Sequence, residues 1–187
     1  MTHVQIILGS TRQGRVGGKV ARWFMDHARA RTDFTTELVD LADWPLPFFN
    51  AAVPPAFGPS PDPASRAWGA KIARADGYIL VTPEYNHGYP AVLKNALDHL
   101  YHEWNGKPVG FVGYGGPGGG IRAVEQLRQV VVELGMVPLR EQVILANAYA
   151  AFDEAGGLVD RRAPDRQASA VLDEIARATT RLGLQPA

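Results

Sequence analysis

Residues Gly9-Ser10-Thr11-Arg12-Gln13-Gly14-Arg15-Val16-Gly17-Gly18 combine small hydroxyl side chains, glycines and two arginines. An apolar run, Val4 to Leu8, precedes them, and Val20, Trp23, Phe24 and Ala28 recur at helical spacing after them. A loop that enters a helix offers unpaired amides and the positive end of the helix dipole. Guanidinium groups add charge-assisted donors, so this loop suits a phosphate, with Ser10, Thr11, Arg12, Arg15 and Val16 as its candidate contacts. The competing account is an ordinary strand-to-helix turn with solvated arginines. No Gly-Lys-Ser/Thr follows Gly9 at the spacing of a Walker A loop.

Two further loops have suitable chemistry. Pro83-Glu84-Tyr85-Asn86-His87-Gly88-Tyr89 lies between the short apolar run Tyr78 to Thr82 and a helical pattern beginning at Pro90. It offers an aromatic ring for stacking, together with backbone donors, at the carboxyl end of a strand, where open α/β sheets bind ligands. The run Tyr114 to Gly120 contains Gly113-x-Gly115-x-x-Gly118, a formal dinucleotide fingerprint. That match carries Pro117 and lacks an acidic residue closing a strand about 20 residues on; Glu133 falls in a helical pattern. Gly115 and Gly116 better serve close approach of backbone to a flat ligand, since a missing Cβ permits it. A plain turn with a helix start is the alternative.

These loops need elements to position them. Strands are predicted at Val4–Leu8, Thr35–Leu41, Tyr78–Thr82, Pro108–Gly113 and Val137–Ala146. Helices are predicted from Gly18, over Ser65–Ala75, from Pro90 through Trp104, from Ile121 and over Asp165–Leu182. Ala42 to Ala64 holds seven of the fourteen prolines with Trp44, Phe48, Phe49 and Phe57, the pattern of an ordered loop packed on the body. Phe152 to Ala163 is polar and is expected to run over the surface. Strand and helix alternate five times, which calls for parallel strands joined by crossover helices. Five such units suit the flavodoxin-like order 2-1-3-4-5 as well as half of a dinucleotide fold.

Composition narrows the function. The 187 residues fit one domain, expected over 1–187, with a sizeable core. Nineteen basic and nineteen acidic side chains balance, so no global field favours nucleic acid or an anionic membrane. There is no cysteine, which excludes disulfides, thiol catalysis and Cys-ligated metal. No apolar stretch approaches the roughly 20 residues that span a bilayer, and the chain enters a strand without a signal core. The expectation is a soluble cytoplasmic protein.

The loops after strands one, three and four would lie along one sheet edge. A phosphate site in the first and planar contacts in the others describe a mononucleotide with a large aromatic head, FMN rather than NAD. Gly9-Ser10-Thr11-Arg12, Pro83-Glu84-Tyr85-Asn86, Leu93-Lys94-Asn95-Ala96-Leu97-Asp98 and the segment from Gly115 through Arg122-Ala123 to Leu127-Arg128 resemble the NADPH-dependent FMN reductase family. The resemblance spans about residues 4 to 146. It implies a flavodoxin-like fold and an activity among quinone, azo-dye and chromate reductases. By it, Ser10 and Arg12 would hold the FMN phosphate, Pro83, Glu84, Tyr85 and Asn86 would meet the ribityl chain and ring, and Gly115 and Gly116 would flank the ring. Family loops often carry Ser and Asn where this chain has Arg15 and Gly17, and Ser where it has Gly88.

Other chemistry-bearing residues have simpler accounts. His87 is an exposed loop histidine before it is a proton donor. His99 and His102 stand three apart without further ligands, a poor metal pattern. Glu84 reads as a ligand-loop or subunit contact ahead of a general base. Trp44, Phe48 and Phe49 read as packing under a long loop. Lys94 and Asp98 pair at helical spacing on a solvated face. The expected function is an FMN-dependent NAD(P)H oxidoreductase, using NADPH or NADH, with no dedicated catalytic residue, because the cofactor performs the hard step. The acceptor is a small molecule: a quinone, azo compound, metal oxyanion or flavin. The alternative is a flavodoxin-type electron carrier without its own nicotinamide site. The helix from Pro90 carries apolar residues beyond one stripe, which predicts a homodimer with that helix at the interface, or a tetramer; the alternative is that Ala42 to Ala64 covers the second face within one chain.

Overall fold

The computed structural model describes residues 1–183. Five parallel strands, β1 (Thr2–Leu8), β2 (Phe34–Asp40), β3 (Gly77–Pro83), β4 (Pro108–Tyr114) and β5 (Val137–Leu145), form one sheet of order β2-β1-β3-β4-β5. Five helices connect or follow them: α1 (Gly17–Arg29), α2 (Pro63–Ala73), α3 (Ala91–Asp98), α4 (Ile121–Glu133) and α5 (Arg162–Arg181). The order is the flavodoxin-like one. The expected last residues 184–187 lie outside the described residues.

Sequence dictates two cores. β3 and β4 are buried at every residue, as continuous apolar runs in a sheet covered on both faces require. Alternation then sends Ile6, Leu8, Ile79, Val81, Val112 and Tyr114 toward α1 and α5. Ile7, Leu80, Val109 and Phe111 go toward α2, α3 and α4. Register aligns the strand ends: Leu8 lies opposite Asp40 and Val81, and Tyr114 opposite Leu145. The loops after β1, β3 and β4 therefore share one edge.

Four expectations need correction. The helix from Pro90 ends at Asp98, so Leu100, Tyr101 and Trp104 lie beyond it in non-helical chain. Two indoles take carbonyls of its last turn: Trp68 Nε1 donates to Ala96 O at 2.8 Å and Trp104 Nε1 to Leu97 O at 3.2 Å. The end of α3 is thereby satisfied without further helix, and Trp104 packs edge-on against Tyr78 with centroids 4.8 Å apart. Second, α2 starts at Pro63, because Asp62 caps it by accepting from Ser65 N at 2.7 Å and proline suits the first turn. Third, the segment 152–163 is not wholly a surface loop. Phe152 and Leu158 are buried against the α1 side of the sheet and α5 begins at Arg162.

The fourth concerns the Pro-rich segment. It is ordered against the body, as expected, and Asn95 anchors it: Nδ2 donates to Pro47 O at 2.9 Å and Oδ1 accepts from Phe49 N at 2.9 Å. Trp44 packs on Trp68, with centroids 5.2 Å apart, and Phe49 packs edge-on against His99. Phe48, however, is 84 % exposed. Asn95 grips the backbone at 47 and 49, and the side chain between them turns outward.

Candidate functional site

The loop between β1 and α1 opens where Gly9 N donates to Val81 O at 2.9 Å, tying the two strand ends together. Val16 occupies the position before α1 without a side-chain cap, and no acidic residue lies in the first turn. The opening amides of α1 therefore face outward uncapped, beside the positive end of its dipole. Ser10 is fully buried, and its hydroxyl shares a 2.7 Å hydrogen bond with the Tyr85 hydroxyl. Arg12 is exposed and has no carboxylate partner among the described residues; its Nη2 donates to Tyr149 Oη at 2.9 Å and Gly14 O at 3.4 Å. Arg15 is engaged instead. Its Nη1 reaches Asp40 Oδ1 at 2.9 Å, and it also contacts Asp40 Oδ2 and the Ser10 carbonyl.

The loop after β3 is a tight two-residue turn. Tyr85 N donates to Gly88 O at 2.8 Å and Gly88 N returns to Tyr85 O at 2.9 Å. Asn86 and His87 take φ of 50° and 67°, the left-handed pair of a type I′ hairpin. Glu84 accepts from Arg122 N at 3.0 Å and from Arg122 Nη1 at 2.6 Å, so it caps α4 from another loop. Burial disfavours the charged Glu84, but the hydrogen bonds and charge of Arg122 prevail and hold its carboxyl below the ordinary value. That carboxylate is a tether rather than a poised base.

After β4, Gly115 is buried and Gly116 is exposed, with open space where a Cβ would stand. Gly120 shows why this run is glycine-rich: at φ +88° its Cβ would meet Tyr114 N at 2.5 Å. Arg12, Arg15, Val16, Pro83, Glu84, Tyr85, Gly115 and Gly116 line one cleft of about 70 Å³. Ser10 lies beneath Tyr85, while Thr11 and Asn86 sit exposed on the rim loops and do not line the cleft.

The cleft also holds two residues not singled out by sequence, Tyr114 and Tyr149. Tyr149 is 69 % exposed and follows β5, the strand beside β4. Tyr114 is 3 % exposed, and its buried Oη has no hydrogen-bond partner among the described residues. Burial pushes the phenol well above its ordinary pKa, so it stays a neutral donor. Alternation from Val112 would have placed Tyr114 on the α1 side, but the sequence assigns it equally well to the glycine run.

FMN fits this edge in kind. The uncapped α1 amides, Arg12 and the unpaired Tyr114 hydroxyl are donors with a place for a phosphate, and Gly116 leaves room for a ring. The enclosed volume is far below the roughly 300 Å³ of a ligand cavity, so the chain and ring would lie across the open edge. A larger cavity, about 320 Å³, lies under the Pro-rich segment. Its Ser65 hydroxyl lies 2.7 Å from His99 Nδ1 and bonds Asp62, a cap-centred chain with no helix terminus left open. No group of three or more His, Asp or Glu side chains among the described residues could hold a metal.

Comparison with known proteins gives concordant matches. A family profile described as NADPH-dependent FMN reductase matches residues 2–150. The chain is 49 % identical over 135 residues to an NAD(P)H-dependent FMN reductase of Schizosaccharomyces pombe, covering 71 % of this chain and 67 % of that one. It is 32 % identical over 173 residues to a quinone reductase of Pseudomonas putida, covering 88 % and 89 %. Among solved structures, the flavoenzyme NAD(P)H:(acceptor) oxidoreductase FerB of Paracoccus denitrificans superposes with a TM-score of 0.75 at 21 % identity, covering 97 % and 98 %. At that identity the likeness is one of fold.

Proposed function

Since the chain belongs to the NADPH-dependent FMN reductase family, we propose that it takes hydride from NADPH or NADH through FMN and passes it to a quinone-type acceptor. The observation that carries this is the shared edge, where the uncapped α1 terminus and Arg12 lie in one cleft with Tyr85, Gly115 and Gly116. Bound FMN supplies the hydride chemistry; the residues around it bind, orient and shield.

Arg12 and the α1 amides would hold the phosphate, with Ser10 fixing the loop through Tyr85. Thr11 and Val16 complete the loop, and Pro83 to Asn86 would flank the chain and ring. Arg15 would act through Asp40, keeping the loop in place while its charge is neutralised. Gly116 would admit the ring closely, with Gly115 packed behind it against Gly120 and Glu84. The quinone is favoured among acceptors by the activity named for the Pseudomonas putida relative. The even charge balance counts against a pure electron carrier, which steers partners with a one-signed surface.

A cytoplasmic setting agrees with a nicotinamide reductant, and no helix among the described residues is long and apolar enough to cross a membrane. The balanced charge gives no reason for nucleic acid as a partner. The test is anaerobic. FMN-loaded protein should bleach on adding NADPH or NADH and regain its colour on adding a benzoquinone. A flavin that stays oxidised with both nicotinamides would overturn the oxidoreductase proposal in favour of the carrier.

A further inference from the structure

Tyr114 and Gly17 explain each other. The Tyr114 side chain closes β4 on the α1 side of the sheet, almost wholly buried, with its hydroxyl lacking a partner among the described residues. Buried hydroxyls are rarely left so, because burial strips water from the group without returning a bond. The groups nearest in the loop hold other bonds. The Ser10 hydroxyl bonds Tyr85 at 2.7 Å, and the Arg15 guanidinium is on Asp40 and the Ser10 carbonyl.

Gly17 is the first residue of α1 and has no positive φ, so its backbone makes no demand for glycine. Space makes the demand. A Cβ there would stand 2.2 Å from Tyr114 Oη and 3.0 Å from Tyr114 Cζ. The phenol therefore presses its hydroxyl against the opening turn of α1, where amides point outward uncapped.

We propose that the Tyr114 hydroxyl is a direct ligand of the FMN phosphate, donating beside the α1 amides and Arg12, and that Gly17 is glycine in order to admit it. The inference rests on the FMN proposal above and adds a phosphate donor from β4, against the opening turn of α1. A neutral phenol gives one directed hydrogen bond to a charged oxygen without adding a second cation to the recess.

The experiment compares FMN with riboflavin, which is the same molecule without the phosphate. Apo-protein is titrated with each, as wild type, Tyr114→Phe, Gly17→Ala and the double variant, with far-UV circular dichroism to confirm folding. Tyr114→Phe should weaken FMN about tenfold or more, the size of a hydrogen bond to a charged group, and leave riboflavin unchanged. Gly17→Ala should weaken FMN by displacing the phenol, and the double variant should lose less than the sum, since both act through one bond. Equal FMN affinity in wild type and Tyr114→Phe would overturn the inference, as would equal losses for FMN and riboflavin. Wild type that binds neither flavin would overturn the FMN proposal and this inference together, a result distinct from either.

Discussion

Arg15 reaches from the loop before α1 to Asp40 at the end of β2, with Nη1 2.9 Å from Oδ1 and a second contact between Nη2 and Oδ2. Asp40 also accepts from Ala42 N at 2.9 Å, so one carboxylate pins both the loop before α1 and the turn after β2. The pair is electrically neutral, which leaves Arg12 as the loop's unneutralised cation. Arg12→Ala is therefore expected to weaken FMN binding by about 1.5–3 kcal/mol, the range of a charge-assisted bond. Deleting Arg15 and Asp40 together should cost less. Arg15→Ala alone should cost more than the double variant, because it bares Asp40 beside the phosphate. Fluorescence titration of the apo-protein measures all three, and an unchanged affinity in Arg12→Ala refutes the assignment.

Glu84 ties the loop after β3 to the start of α4 through two hydrogen bonds to Arg122. Its folded pKa is depressed, so its contribution is complete above the ordinary carboxylate value of 4.5 and is lost as pH falls through the folded value. Glu84→Gln should lower stability at neutral pH by about 0.5–2 kcal/mol, the worth of a helix cap, with the ion-pair share reduced because Arg122 is half exposed. The difference from wild type should shrink as pH falls from 4.5 through the lower folded value, below which the wild-type carboxyl is also neutral. Urea midpoints at neutral and acid pH decide this; a difference that grows on acidification reverses the sign and rejects the account.

Asn95 holds the Pro-rich segment at two backbone points, Pro47 O and Phe49 N. Asn95→Ala removes both partners while leaving the buried face of α3 intact, since Asn95 itself is only half-buried. The expected result is faster proteolysis within residues 42–64, with a global unfolding free energy lower by about 1–2 kcal/mol for two lost bonds. Mass spectrometry of limited digests locates the cuts. Cleavage at the wild-type rate would mean that the aromatic contacts alone anchor the segment.

The fold was legible because its signals are short-range and repeated. Apolar runs bounded by Gly or Pro marked β3 and β4, and the loops at their carboxyl ends followed from a parallel sheet. Where periodicity alone was used, it failed. Leu100, Tyr101 and Trp104 continued a helical rhythm beyond Asp98, but indoles from α2 and from the turn itself supply what ends α3, and such contacts are not written at helical spacing. Asp62-Pro63 was a readable helix start that the apolar pattern from Ser65 obscured. In the site, the residue types of Arg12 and Arg15 promise the same chemistry; only the position of Asp40, 25 residues on from Arg15, separates them. Tyr149 was illegible, since nothing near it in sequence points to Arg12 across the sheet edge.

The homodimer expected from sequence loses the surface it was argued from, and we propose another. The apolar residues of the segment after Pro90 do not seek a partner: Leu93, Ala96, Leu97, Leu100 and Trp104 are buried within the chain. What remains open is on the Pro-rich segment, where Phe48 is 84 % exposed, Phe57 83 % and Val53 52 %. Exposed aromatics on an anchored segment are typical anchors of a protein interface, and two-fold pairing is the commonest way to cover them. A standard interface buries about 800 Å² per partner, so two phenylalanines would form its centre rather than its whole extent. Light scattering during size exclusion should give twice the chain mass at low micromolar concentration. Phe48→Ser with Phe57→Ser should shift it toward one chain without lowering the thermal midpoint of the monomer, because neither ring supports its own core. A single-chain mass in wild type that persists on concentration would reject the dimer. A dimer untouched by the double substitution would place the interface elsewhere.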